Sequence, residues 1–215
     1  MDGGHFVKRI EYNVQSTMDN NHNINSKGRT QRLFFSDFNA PVEFSYMPHS
    51  TAAMNNELIS SFRIVRNSSN ILEVKYISNY VEAQEEVEKK YPTNFKLPGT
   101  HEYNKAAFAK QREEMPKLFK IETLSFPISN QFAERMYKKM VSLIGNFKAR
   151  GVPALITGGY SVEFRNVVED EVWSLLIDNP KGDALKMSDL CRQVITDALA
   201  NKLDERKYIS ILKII

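Results

Sequence analysis

Between Gly159 and Asn179, two runs of alternating apolar and polar residues flank Glu169 and Asp170, and an amphipathic run follows. If those two acidic residues form the turn, in-register pairing puts Val162, Phe164 and Val168 on one face with Trp173, Leu175 and Ile177. The opposite face carries Ser161, Glu163, Arg165, Ser174 and Asp178. One face is expected to be core and the other wet, which is the pattern of an antiparallel sheet and not of a parallel one buried on both sides.

The alternation continues upstream. Val42, Phe44 and Tyr46 alternate with Glu43 and Ser45 and predict a half-buried strand closed by Pro48. Residues 62–66 and 70–77 predict a hairpin, and a three-residue loop centred on Ser68 aligns Phe62 and Ile64 with Leu72, Val74 and Tyr76. In residues 118–128, Ile121 and Thr123 fall on one side of a strand and Leu124 and Phe126 on the other, with Pro127 marking an edge or an end.

Helical spacing predicts the layers. A mostly exposed helix follows Asn79, read as its N-cap, with a thin apolar stripe of Val81, Val87 and Tyr91. Thr100 is read as the cap of a second polar helix that runs to about Met115 and is ended by Pro116. The strongest helix spans 130–150, capped by Asn130, with Phe132, Met136, Met140, Ile144 and Phe147 as its buried stripe and Lys148, Arg150 and Gly151 at its end. Asp183 is expected to cap a helix bearing Met187, Leu190, Cys191, Val194 and Ala198. Asp204 opens a last helix, whose Ile211, Leu212, Ile214 and Ile215 should be docked.

Residues 1–30 differ from the rest. Asn13, Asn20, Asn21, Asn23 and Asn25, with interspersed Ser, Thr and Gly, suggest a flexible arm, whereas the alternation of Ile10, Tyr12 and Val14 suggests a first strand, and both readings stay open. Residues 31–215 are expected to form a single domain. The segments opening at Ser61 and Ser161 both read hairpin then helix, with Asn79 and Asn179 at matching places. Their turns differ in parity, so chance recurrence of a common unit is the better explanation than internal duplication.

Composition narrows the functional classes. Lys and Arg number 29 against 26 Asp and Glu, a formal +3 spread evenly along the chain, which gives no basis for nucleic-acid binding. No apolar run approaches the roughly 20 residues of a membrane span. The start lacks the charged-then-apolar pattern of a secretory signal. A cytoplasmic setting is therefore expected if Met1 is the true start, and a periplasmic or envelope setting if a leader was removed. The single Cys191 excludes an internal disulfide and a thiolate metal cage.

Phe126-Pro127-Ile128-Ser129-Asn130-Gln131-Phe132-Ala133-Glu134, Gly159-Tyr160-Ser161-Val162-Glu163-Phe164-Arg165, Glu171-Val172-Trp173-Ser174-Leu175 and Asp189-Leu190-Cys191-Arg192-Gln193 resemble a group of uncharacterised proteins from gut bacteria of the Bacteroides kind. The resemblance covers residues 60–215 and implies a bacterial source and an exported setting. It implies no activity, ligand or catalytic residue.

Candidate chemistry is sparse. His5, His22, His49 and His101 form no metal-binding spacing, and ordinary surface histidines explain them better than a metal site. Cys191 lies on an apolar stripe and reads as a small hydrophobe. Thr157-Gly158-Gly159-Tyr160 could offer N–H groups to an anion, but a strand follows where a phosphate loop needs a helix. Glu163, Glu169, Asp170 and Glu171 are the densest acidic group, as glycoside hydrolysis would require, yet three of them sit at a hairpin tip where water solvates them. Trp173 is read as core, not as a sugar-stacking surface, and Arg165 as a surface neighbour of Glu163.

The expectation is an α+β fold, with a mainly antiparallel sheet of about five to seven strands and helices packed on one face. The function expected is that of a non-enzymatic binding or protein-interaction module needing no cofactor and no metal, with an unidentified protein or small molecule as partner. Glu163, Arg165 and Ser174 on the wet face are its candidate binding residues. A glycan-directed hydrolase relying on carboxylates, with Glu163 as one of them, and a self-associating structural subunit are the alternatives.

Overall fold

The computed structural model describes residues 9–14, 33–35, 40–48, 58–66, 68–94, 101–147, 159–169 and 171–214. Its strands are β1 (Arg9–Val14), β2 (Val42–Pro48), β3 (Ser60–Arg66), β4 (Asn70–Ile77), β5 (Ile121–Ile128), β6 (Tyr160–Val168) and β7 (Glu171–Asp178). Its helices are α1 (Tyr80–Lys90), α2 (His101–Glu114), α3 (Asn130–Asn146), α4 (Gly182–Leu199) and α5 (Glu205–Ile211), with a 3₁₀ turn at Met115–Leu118.

The strands form one sheet in the order β1-β7-β6-β2-β3-β4-β5. β2 to β7 pair antiparallel with their neighbours, and β1 lies parallel to β7 with Ile10 beside Trp173. The fold is therefore α+β, on a mainly antiparallel sheet. Both hairpins take the expected registers. Ile64 faces Leu72 and Arg66 faces Asn70, while Phe164 faces Leu175 and Val168 faces Glu171. Glu169 takes φ +55, the left-handed conformation that a tight turn demands of one of its residues.

One face of the sheet meets α3, α4 and α5. Val42, Phe44, Phe62, Ile64, Leu72, Val74, Val162, Phe164, Leu175 and Ile177 join the inward stripes of α3, α4 and α5 in the main core. Phe44 lies between Phe62 and Phe164, with ring centroids 5.7 Å and 5.3 Å away, so an aromatic row crosses the central strands. Trp173 is half-buried on this face and packs beside Gly145 of α3, and its Nε1 donates to Glu171 Oε2 at 3.1 Å. Asn166 is also fully buried here, its Nδ2 donating to the Pro41 carbonyl at 2.8 Å.

Several element ends differ from expectation. Ser129, not Asn130, caps α3, because its extended backbone lets Oγ accept from Phe132 N–H at 3.2 Å. Asn79 precedes α1 but makes no cap bond; its side chain instead donates to the Leu118 carbonyl and accepts from Lys120 N–H, tying the start of α1 to the approach into β5. The stripe of α1 is Ala83 and Val87, with Val81 only partly covered. Asp183 lies in the first turn of α4, and Lys181 holds the N-cap position without a side-chain bond. Asp204 does cap α5, but the chain end is only partly docked: Leu212 is buried and Ile214 is 86% exposed. The strand expected around Ile10 and Val14 is present as β1, and the rest of the expected arm lies outside the described residues, as do Thr100, Lys148, Arg150, Gly151 and Ile215.

Asn79 and Asn179 are not equivalent. Asn179 takes φ +50 and closes the open end of the β6–β7 hairpin, its N–H donating to Tyr160 O and its Oδ1 accepting from Tyr160 N–H. The N–H of Tyr160, one candidate anion donor, is thereby engaged, and Thr157 and Gly158 lie outside the described residues.

Candidate functional site

The candidate binding residues lie where the alternation places them, on the sheet face turned away from α3, α4 and α5. The register sets Ser174 beside Arg165, Arg165 beside Glu43, Glu43 beside Arg63 and Arg63 beside Glu73, a single row across β7, β6, β2, β3 and β4. The next row runs Leu176, Glu163, Ser45, Ser61 and Lys75.

The expectation of a wet face is corrected. Glu163 is 8% exposed, Arg165 4%, Ser174 4% and Glu43 3%. β2, expected to be half-buried, is covered on both sides, because it lies at the centre of the sheet between β6 and β3. Alternation distinguishes two faces of a strand by their chemistry, but it does not tell water from a second packed layer.

Buried charge demands partners, and the rows supply several of them. Arg165 forms an ion pair with Glu43. Its expected neighbour Glu163 instead accepts from Ser174 Oγ at 2.7 Å. Arg63 Nε donates to Glu73 Oε2 at 2.8 Å, and Lys75 reaches Glu73 at 3.3 Å. Ser61 donates its one O–H to the Phe44 carbonyl at 2.6 Å, so Ser45 must be the donor in the Ser45–Ser61 bond at 2.9 Å. Part of the cover is visible: Phe35 lies under the Arg63 guanidinium at 4.7 Å and the Lys75 ammonium at 5.0 Å, and Lys75 also donates to the Phe34 carbonyl. Phe34 and Phe35 belong to a smaller apolar cluster with Ile59 and Ile77.

Glu43 is the residue the sequence reading passed over. It appeared only as the polar half of an alternating strand, and its importance comes from standing opposite Arg165, more than a hundred positions away in the chain.

Elsewhere the candidates remain apart. Cys191 is fully buried among the stripe residues of α4, and burial pushes its thiol well above the usual range, away from a reactive thiolate. Tyr160 and Tyr46 meet in a tilted arrangement, with centroids 5.2 Å apart, beneath the Arg192 guanidinium, which lies 4.5 Å from the Tyr46 ring and 4.9 Å from the Tyr160 ring. This pins α4 to the end of the sheet. His101 opens α2, while His5, His22, His49 and Asp170 lie outside the described residues. Among the described residues, no group of three or more His, Cys, Asp or Glu side chains is arranged to hold a metal ion, and no helix is long and apolar enough to cross a membrane.

β5 has a different character. Among the described residues it is one of the two outer strands, bonded to β4 along one side. Ile121, Glu122, Thr123, Ser125 and Pro127 are exposed, and Leu124 and Phe126 are half-buried. Lys120 O accepts from Ser78 N–H at 3.0 Å, so the backbone of the even-numbered residues faces β4. Alternation then turns the N–H and C=O groups of Ile121, Thr123 and Ser125 outward. Pro127 belongs to the outward series, which explains how a proline is accommodated: the N–H it lacks has no role in the β4 ladder.

Compared with known proteins, the chain matches no family model, no curated protein and no solved structure.

Proposed function

We propose that this protein is a non-enzymatic interaction module whose working surface is the free edge of β5, where a partner adds an extended segment as a further strand. The observation that carries this reading is the outward backbone of Ile121, Thr123 and Ser125 on an exposed edge. In strand addition, main-chain hydrogen bonds supply affinity and alternate side chains supply specificity. Edges are commonly guarded by proline or charge. Here Pro127 guards one end and leaves the stretch Ile121–Ser125 able to pair.

The polar face supports the same reading from the other side. Arg165 is engaged by Glu43 and Glu163 by Ser174, so the groups first expected to meet a partner are directed at one another. The binding surface therefore moves from Glu163, Arg165 and Ser174 to the edge.

A peptide-display library selected against the protein tests this. Thr123→Pro removes an outward N–H and spares the β4 ladder, so it should keep the native melting profile and lose the selected peptides. A selection that yields no peptide sensitive to Thr123→Pro rejects the proposal.

One observation favours a hydrolase instead. Glu43 and Glu163 are buried diagonal neighbours on β2 and β6, a separation of about 7–8 Å for such positions. Turnover of chromogenic glycosides that disappears in Glu163→Gln would establish that alternative.

A further inference from the structure

Resting on the strand-addition reading, we infer that the strand added at this edge is β5 of a second copy, the two chains pairing antiparallel about a two-fold axis through Thr123. Pro127 selects this register. Outward groups of one copy must meet outward groups of the other, so odd-numbered residues pair with odd-numbered residues. Shifting the axis to Leu124 would set Pro127 against Ile121 of the second copy and leave a carbonyl without a donor. Shifting it to Glu122 would leave Ser125 beyond the paired stretch.

With the axis at Thr123, Ile121 faces Ser125, Thr123 faces Thr123, and each of these residues gives one N–H and accepts at one C=O. Pro127 then falls opposite Phe119, which precedes the strand, where no ladder bond is needed. The side chains agree with the backbone. Glu122 faces Leu124 and Lys120 faces Phe126, so no like charges stand directly opposite and the charged side chains can lay their stems over half-exposed apolar groups. The contact is isologous: each copy gives its β5 edge and receives the other's, so assembly stops at two.

Sedimentation velocity over a wide concentration range, with the full chain, gives the first readout. The wild type should pass from monomer mass to twice that mass, and Thr123→Pro should remain monomeric with an unchanged melting curve. Register is read by single cysteines in a Cys191→Ala background: Thr123→Cys should form a disulfide-linked dimer under mild oxidation well before Ser125→Cys, which faces Ile121. A wild type that stays monomeric at every concentration overturns the inference, as does equal cross-linking of the two cysteine variants or a Thr123→Pro protein that dimerises like the wild type. If the wild type is monomeric while the library still yields peptides sensitive to Thr123→Pro, only the second copy is wrong. If both experiments fail, the strand-addition reading falls with it.

Discussion

Taking the guanidinium away from Arg165 leaves Glu43 as a buried carboxylate without its ion-pair partner. Arg165→Leu should therefore destabilise the protein by about 3–5 kcal/mol in urea denaturation. Replacing both partners, as Glu43→Met with Arg165→Leu, should recover most of that loss, because two apolar groups of similar volume need no compensation. A double variant as unstable as the single one would show that the pair positions the strands in some further way. The sign of each residue's preference was legible in the sequence: Glu163, Arg165 and Ser174 share a face there, and they share one in the fold. Their burial was not legible, since it depends on what lies over β2 and β6. Asn166 makes the same point in reverse, a polar residue on the core face whose Nδ2 donates to the distant Pro41 carbonyl.

At the scale of elements, boundaries depend on one or two hydrogen bonds. Ser129→Ala should cost about 1 kcal/mol through loss of the α3 cap, whereas Asn130→Ala should change the urea midpoint much less. The joint between α4 and α5 is a titratable one. Asp197 accepts from Tyr208 Oη at 2.5 Å, from Lys207 Nζ at 3.0 Å and, through its other oxygen, from Gln193 Nε2 at 2.7 Å. Burial works against this carboxylate, but the bonds from Tyr208, Lys207 and Gln193 outweigh it and hold its pKa below the usual aspartate value. Burial, and then the Asp197 carboxylate, push the Tyr208 phenol upward. The two shifts act at opposite ends of the pH scale. The Asp197 contribution is present above the unfolded aspartate pKa and is lost as pH falls through the lower folded value. The Tyr208 contribution is present below the unfolded tyrosine pKa and is lost as pH rises above it. Thermal melts across pH should show both declines, and Asp197→Asn should flatten the acid one.

Among the described residues, the larger core is shared by β2, β3, β4, β6, β7 and the helices α3, α4 and α5. Cys191 lies inside that core at 0% exposure and its thiol is held protonated by burial, so it should react with a thiol reagent only when the core opens. Its labelling rate in increasing urea should follow global unfolding measured by Trp173 fluorescence; rapid labelling of the native protein would show a local opening of α4. Periodicity and turn chemistry determined the strands, the hairpin registers, the stripes of α3 and α4 and the α+β class, because each is encoded by neighbours a few positions apart in the chain. Tertiary structure alone decided that β2 is central and covered on both faces, that Glu43 meets Arg165, that β1 joins the sheet parallel to β7, and that β5 is an outer strand among the described residues. Strand order is chosen by which distant surfaces bury one another best. That competition among the chain's own segments leaves no local trace in the order of its residues.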